Sequence, residues 1–132
     1  MKKSTFQLKE QSILNIEFVK NEDFIDENFK VSLEFSNSIE IKNDENNKIA
    51  EVIFDFSIFD KNAIEKYPFF INVKIKGVFA WDADMDNQTL ENLLKINDPA
   101  ILFSYIRSVV SSITAFSGYP ALILPLINFN NE

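Results

Sequence analysis

Four segments in which apolar residues alternate with mostly polar ones constrain the fold of this chain more than any other feature. Alternation with a period of two predicts a strand with one packed face and one solvated face. Several such segments in succession predict an antiparallel sheet. The alternating residues are Leu14, Ile16 and Phe18; Val31, Leu33, Phe35, Ile39 and Ile41; Val52, Phe54, Phe56 and Ile58; and Phe69, Ile71, Val73 and Ile75, with Phe79 and Trp81 beyond them.

A long helix is predicted after the strands, over residues 98–117, and a shorter one after Asn87. Asp98 is suited to cap free amides, Pro99 fits the first helical position, and Gly118 can adopt the left-handed conformation that ends a helix. One helix face is apolar, and the other carries small side chains that would let a second backbone approach. Periodicity alone fits a core helix with a solvated serine side equally well. The apolar face comprises Leu102, Ile106, Val109, Val110, Ile113 and Phe116, and the small face comprises Ser104, Ser108, Ser111, Ser112 and Ala115.

Length and composition exclude several functional classes. The chain of 132 residues contains no repeat and no linker, so a single domain over residues 1–132 is expected. Its net charge of −7 opposes binding to nucleic acid and to anionic membranes. Without cysteine or histidine it lacks disulfides, thiolate chemistry, the common zinc ligands and the common general base.

Catalytic and metal-binding patterns are also missing. Asp82, Asp84 and Asp86 imitate the start of a calcium loop, but Asn87 stands where glycine is required, and Leu93 stands where a bidentate glutamate is required. The two glycines of the chain lie far apart, so no phosphate-binding loop is present. We therefore expect no catalytic residue, no metal, no cofactor and no enzymatic activity.

The aromatic content predicts apolar surface that is shared or exposed. Fourteen phenylalanines, three tyrosines and one tryptophan exceed what one thin sheet-and-helix layer covers easily, and exposed apolar patches usually mark binding or assembly. Pro120 and Pro125 prevent a regular helix or central strand near the C-terminus, so Leu122, Leu124 and Leu126 should lie in an extended, groove-forming segment. The longest apolar run, residues 119–127, is too short to span a membrane, and the first residues do not form a secretory signal. A cytoplasmic protein is therefore expected.

Residues 96–129, INDPAILFSYIRSVVSSITAFSGYPALILPLINF, resemble the C-terminal signature of the bacterial SecB export-chaperone family. A weaker resemblance continues upstream through Gly77 and Phe79 to Phe6, and therefore covers nearly the whole chain. Ser104 departs from the proline that is usual in the family, and the chain stops at Glu132, where family members usually continue. The matching positions are Pro99, Ile101, Leu102, Phe103, Tyr105, Arg107, Gly118, Tyr119, Pro120, Leu122, Leu124, Asn128 and Phe129.

The resemblance implies an α+β fold in which a four-stranded antiparallel sheet packs with a long C-terminal helix. It implies a homotetramer, built as a dimer of dimers with the helices at its centre. The implied function is that of an ATP-independent chaperone that binds unfolded client polypeptides, such as preproteins, in apolar grooves and keeps them unfolded for export. The expected groove residues are Phe29, Val31, Leu33 and Phe35, facing Tyr119, Leu122, Leu124 and Phe129, and the expected oligomer interface contains Tyr105, Arg107, Ser108, Ser111 and Ser112.

Two alternatives to the export function stay open at this point. Some members of the family protect the aggregation-prone antitoxin of a toxin–antitoxin pair, so the implied partners include an antitoxin as well as the SecA motor. First-strand positions that resemble the acidic ones of SecA-binding members hold Asn15 and Val19, which weighs against SecA docking. From a different class, a protein with a closed pocket for a small hydrophobic ligand would also use the aromatic excess.

Overall fold

The computed structural model describes residues 6–24, 33–43, 48–81, 86–127 and 129, with only the backbone described for residues 33–43. Within these ranges, four antiparallel strands form one sheet in the order β1-β4-β3-β2. A helical arm, residues 87–116, follows the last strand. The α+β class, with an antiparallel sheet and a C-terminal helix, is confirmed. The strands are β1 (Phe6–Lys20), β2 (Leu33–Asn43), β3 (Lys48–Ile58) and β4 (Phe69–Trp81).

The inner strands β3 and β4 carry the core. From Ala50 in β3 and from Ile71 in β4, every second side chain is buried, because one sheet face is covered by a helix and the other is more open to solvent. On the solvated face, Asn72 Nδ2 donates hydrogen bonds to Asp55 Oδ1 and Ser57 Oγ at 2.6 and 2.8 Å. The buried side chains include Val52, Phe54, Phe56 and Ile58 of β3, and Ile71, Val73, Ile75 and Phe79 of β4.

The edge strand β1 departs from simple alternation. Irregularities of pairing occur between Leu8 and Glu10 and between Ile13 and Asn15. The second one leaves Leu14 without a partner in β4, so the regular alternation of Leu14, Ile16 and Phe18 that the sequence predicts is interrupted at Leu14. Ile13 and Ile16 pair with core residues of β4, yet they remain 42% and 41% exposed. The inner face of the sheet is therefore incompletely covered at this edge.

The two predicted helices form one continuous helical arm. It comprises α1 (Asn87–Asn92), a π-helical segment (Leu93–Asn97) and α2 (Asp98–Phe116) without interruption. Asp86 caps its first turn, since its Oδ1 accepts a hydrogen bond from the Thr89 amide at 2.6 Å. The predictions of a short helix after Asn87 and of a long helix from Asp98 are confirmed, but α2 continues directly from the π-helical segment, and the expected capping role of Asp98 is wrong, because Asn97 holds the cap position without a side-chain hydrogen bond.

The predicted end of the helix is confirmed at Gly118, which has a φ of 92°. The Gly118 amide donates to the Ala115 carbonyl, and the Tyr119 amide donates to the Thr114 carbonyl at 3.1 Å. This pairing satisfies the last carbonyl groups of the helix and turns the chain sharply.

The buried face of α2 is a stripe of residues spaced four apart, which lies on the inner face of β3 and β4. Next to the stripe, the Phe103 ring contacts Phe54 and Phe56 at centroid distances of 6.3 and 5.5 Å. Phe116, which was assigned to this face, is 89% exposed. It lies two residues after the stripe, and therefore points to the opposite side of the helix. The stripe consists of Asp98, Leu102, Ile106, Val110 and Thr114, all fully buried.

The helical run Gln88–Phe116 is long and apolar enough to cross a membrane by length and composition alone. One such helix is weak evidence for a membrane span, because the core helix of a globular domain passes the same test. Here the buried stripe packs against a sheet, which is the behaviour of a core helix.

Gly77 of β4 leaves no room for a side chain beneath α2. A β-carbon at this position would lie 2.8 Å from Leu102 Cδ2 and 2.8 Å from Phe79 Cε2. We expect Gly77→Ala to lower the free energy of unfolding by about 1–3 kcal/mol, because the core must shift to admit the methyl group. Chemical denaturation measures this loss. In the double variant Gly77→Ala with Leu102→Val the loss should be smaller than the sum of the single losses, and strict additivity would contradict the clash.

Asp98 is the polar start of the buried stripe. Neither of its carboxylate oxygens has a hydrogen-bond partner within the described residues. Burial alone raises the pKa of Asp98 from 3.8 to about 8. The folded protein therefore holds this carboxyl group protonated at neutral pH, whereas the unfolded chain releases the proton near pH 4.

This difference makes stability depend on pH. Below about pH 4 the Asp98 carboxyl group is protonated in both states, and between about pH 4 and pH 8 only the unfolded state ionises, so stability falls as the pH rises. We expect Asp98→Asn to remove this dependence. The melting temperature of the variant, relative to that of the wild type, should be higher at pH 8 than at pH 4.5. A constant difference across this range would show that Asp98 is ionised in the fold.

Candidate functional site

The C-terminal tail, defined here as residues 119–127 and 129, forms neither helix nor strand. Its extended course follows from the two prolines, and its side chains alternate between the inside and solvent over residues 122–125. Leu124 is only 1% exposed and belongs to the hydrophobic core. Ile123 and Leu126 are 68% and 82% exposed. The tail therefore has an inner apolar side, which packs on the domain, and an outer apolar side in solvent.

The root of the tail is fixed by Tyr119. Its hydroxyl group donates to the Pro68 carbonyl at 3.0 Å, and its ring lies 5.4 Å from that of Phe69. Partial burial raises the pKa of the Tyr119 hydroxyl above its usual value. Lys20 Nζ lies 5.0 Å from the centre of the Tyr119 ring and donates to the Ser117 carbonyl at 2.9 Å. The end of α2, the start of the tail and the end of β1 meet at this point.

Beyond its root, the tail runs back along α2. The Leu122 amide donates to Thr114 Oγ1 at 2.9 Å, and Arg107 Nε donates to the Leu124 carbonyl at 2.9 Å. At the far end, the Phe129 ring lies 5.7 Å from Phe54, in an edge-to-face arrangement that adds to apolar burial. Two side chains of α2 thus hold the tail backbone, while apolar contacts hold its side chains.

The structure brings only part of the expected groove together. Phe29 and Val31 lie outside the described residues. In β2, Leu33 pairs with Ile58 and Phe35 with Phe56, so the register places both on the inner face of the sheet. Phe129 packs on Phe54 of β3, and is therefore one strand from β2.

The root of the tail lies farther from β2. Tyr119 packs on Phe69 of β4, which is separated from β2 by β3. Leu122 is half-buried, and Leu124 is buried in the core instead of lining an open surface. In the free chain, the open apolar side of the tail is formed by Ile123 and Leu126. Ile123 was not predicted from the sequence, although it must face solvent once the extended neighbours on either side face inward.

The expected interface residues lie on the outer face of α2. Ser108 and Ser112 are exposed, Arg107 and Ser111 are half-buried, and Tyr105 is partly exposed. A surface cavity of about 390 Å³ separates this face from the tail. The small side chains occupy the middle of the helix, and the exposed Ile101, Tyr105 and Phe116 occupy its two ends. The cavity is lined by Ser104, Arg107, Ser108, Ser111, Ser112, Ile123 and Leu124.

Metal-binding geometry does not occur in the described part of the chain, where no three acidic, histidine or cysteine side chains cluster. Of the three aspartates that imitate a calcium loop, Asp82 and Asp84 lie outside the described residues. Asp86 serves as a helix cap, and its hydrogen bonds with Thr89 hold the pKa of its carboxyl group below the usual value.

Comparison with known proteins places this fold in a class. The family described as Preprotein translocase subunit SecB matches residues 2–131. The chain therefore belongs to the SecB family, whose members are chaperones and not enzymes.

Individual relatives agree with this assignment. A protein-export protein SecB of Anaplasma phagocytophilum is 36% identical over 73 residues, which cover 53% of this chain and 46% of that protein. An uncharacterized protein of Methanocaldococcus jannaschii is 31% identical over 117 residues, which cover 88% of this chain and 74% of that protein. The aligned segments span about half of the length of the first export proteins that the chain matches.

A solved structure shares the fold. The SecB-like chaperone of Mycobacterium tuberculosis, determined in complex with a peptide from the HigA1 antitoxin, superposes with a TM-score of 0.71 and 14% identity. The match covers 93% of this chain and 91% of the mycobacterial chain. At this identity the likeness shows a common fold.

Proposed function

We propose that this protein is an ATP-independent chaperone that binds unfolded polypeptides through apolar surface along its tail and keeps them from folding or aggregating. The observation that carries the proposal is the exposure of Ile123 and Leu126, at 68% and 82%, beside a tail that otherwise packs on the core. Large exposed apolar side chains on a domain of a chaperone family are suited to bind clients. Membership of the SecB family supports the same function.

The physical mechanism is selective binding of the unfolded state. An unfolded client exposes apolar side chains that a folded protein buries, so only the unfolded form gains from contact with the tail. Leu33 and Phe35 of β2 would extend this surface beyond Phe129, and Phe29 and Val31, which lie outside the described residues, stay proposed client contacts. The net charge of −7 favours clients in which basic residues flank the apolar segment.

Two client classes fit this mechanism, namely preproteins bound for export and an antitoxin. The export function is supported by the names of the relatives. The antitoxin function is supported by the antitoxin peptide bound to the mycobacterial chaperone of the same fold. Docking to SecA belongs to the export proposal alone, and a cytoplasmic location fits both. A pocket protein for a small hydrophobic ligand is less well supported, because the described cavity beside α2 is open to the surface.

We further propose that the protein assembles through the outer face of α2 into a dimer of dimers. The small residues Ser108 and Ser112 would allow two helices to cross closely. In an antiparallel crossing, Phe116 of one chain would lie near Tyr105 of the other, which would cover the large apolar groups at both helix ends.

Charge introduced at the crossing should dissociate the assembly. We expect the double variant Ser108→Glu with Ser112→Glu to be smaller than the wild type in light scattering, because unpaired buried charge costs about 3–5 kcal/mol. The matched control is Gln88→Glu with Asn92→Glu, which places the same charges at the same spacing on exposed positions of α1. A wild type that is monomeric at micromolar concentration would refute the helix interface.

Removal of the outer apolar side of the tail should weaken client binding. In Ile123→Ser with Leu126→Ser, two contacts worth roughly 1.5–3 kcal/mol each when fully buried are lost, so client affinity should fall at least about tenfold. The assay is suppression of aggregation of a denatured protein without nucleotide. The control is Ile13→Ser with Ile16→Ser, which removes exposed apolar groups from β1. Equal loss in both variants would argue against a tail site, and a wild type that does not suppress aggregation would refute the chaperone function.

A further inference from the structure

The tail is bound to its own domain in the way that an unfolded polypeptide would be bound. It is extended, it lacks regular secondary structure, and it inserts apolar side chains on one side only. Leu124 is its deepest residue and reaches the core beneath α2. Its backbone is held by side chains, Thr114 at Leu122 and Arg107 at Leu124, and not by a strand ladder.

We propose, on the basis of the chaperone function above, that the inward-facing residues around Leu124 occupy part of the client site in the free protein and are displaced by a client segment, while the exposed Ile123 and Leu126 stay in contact with that client. The occupant of the site is thus a segment of this chain until an extended apolar polypeptide replaces it. The tail acts as an intramolecular competitor, and the affinity for clients is reduced by the strength of its own binding.

The contacts of the tail fit such a competitor. The inward residues Leu122, Leu124 and Phe129 provide apolar groups that an unfolded client can also provide. Thr114 Oγ1 accepts from the Leu122 amide and Arg107 Nε donates to the Leu124 carbonyl, so both bonds engage only backbone groups of the tail and would accept any sequence.

The same arrangement explains why an apolar residue is found at position 124. Without Leu124, part of the hydrophobic core to which it belongs would be open to water, and the free protein would itself be prone to aggregate. Only an extended segment that contributes several apolar side chains can compensate for the free energy lost when the tail contacts break. The competitor therefore raises the threshold for binding and selects unfolded segments over isolated apolar groups.

The test is to fix the tail in place. The natural chain has no cysteine, so the double variant Thr114→Cys with Leu122→Cys contains a single pair of thiols, at positions that are already in contact through a 2.9 Å hydrogen bond. The probe is reduced and carboxymethylated α-lactalbumin, a permanently unfolded protein without free thiols. We expect the oxidised variant to bind it at least about tenfold more weakly than the same variant after reduction, as measured by fluorescence anisotropy.

A second pair of variants loosens the tail without a cross-link. Thr114→Val removes the acceptor of the Leu122 amide, whereas Thr114→Ser keeps a hydroxyl group in the same place. We expect the valine variant to bind the probe about fivefold more tightly, since one hydrogen bond of the competitor is worth roughly 1 kcal/mol. The serine variant should bind like the wild type. Hydrogen exchange at the Leu122 amide should accelerate in the wild type when the probe is added.

The outcomes separate this inference from the function on which it rests. If the wild type does not bind the probe, the chaperone function is refuted. If the wild type binds and the oxidised variant binds equally well, the chaperone function stands and the displacement of the tail is refuted. Should the cysteine variant fail to fold, as judged by circular dichroism, the valine and serine variants decide, and equal affinity of the two would overturn the inference.

Discussion

The packing of one helical stripe on two central strands determines the rest of this structure. Because Leu102, Ile106 and Val110 are buried against β3 and β4, the serine face of α2 must point outward, and the tail must pass along the side of the helix. Close contact at Gly77 fixes the distance between helix and sheet. The exposure of the serine face of α2 and the course of the tail both follow from this single interface, since a helix can bury only one face.

The sequence predicted the strands and helices better than the irregular pairing in β1 and the continuous join between α1 and α2. Alternation over β3 and β4 is unambiguous because both strands are covered on one face only, and Gly118 ends the helix for a reason that is local to the backbone. The pairing irregularity at Leu14 and the burial of Asp98 could not be predicted, because each depends on contacts with residues that are distant in the sequence. Aspartate is a common helix-capping residue, so the sequence around Asp98 resembles a helix start. The preceding π-helical segment extends the helix upstream and places Asp98 inside it.

The candidate site shows the same division between local and distant information. The prolines predicted that the tail would be extended, and the structure agrees. Which of its alternating side chains faces the core depends on where α2 directs the chain, so Leu124 was expected on an open surface and lies in the core instead. Family membership follows from the match over residues 2–131.

The two ends of the tail are held by different physical forces. At the root, Lys20 binds the Ser117 carbonyl in an exposed position, and such an interaction weakens as salt screens the charge. At the far end, Phe129 rests on the aromatic rings of Phe54 and Phe103, and apolar contacts of this kind weaken on cooling instead. Ionic strength and temperature therefore act on opposite ends of one short segment, and a cold-adapted or salt-adapted variant of this chain would need to reinforce a different end.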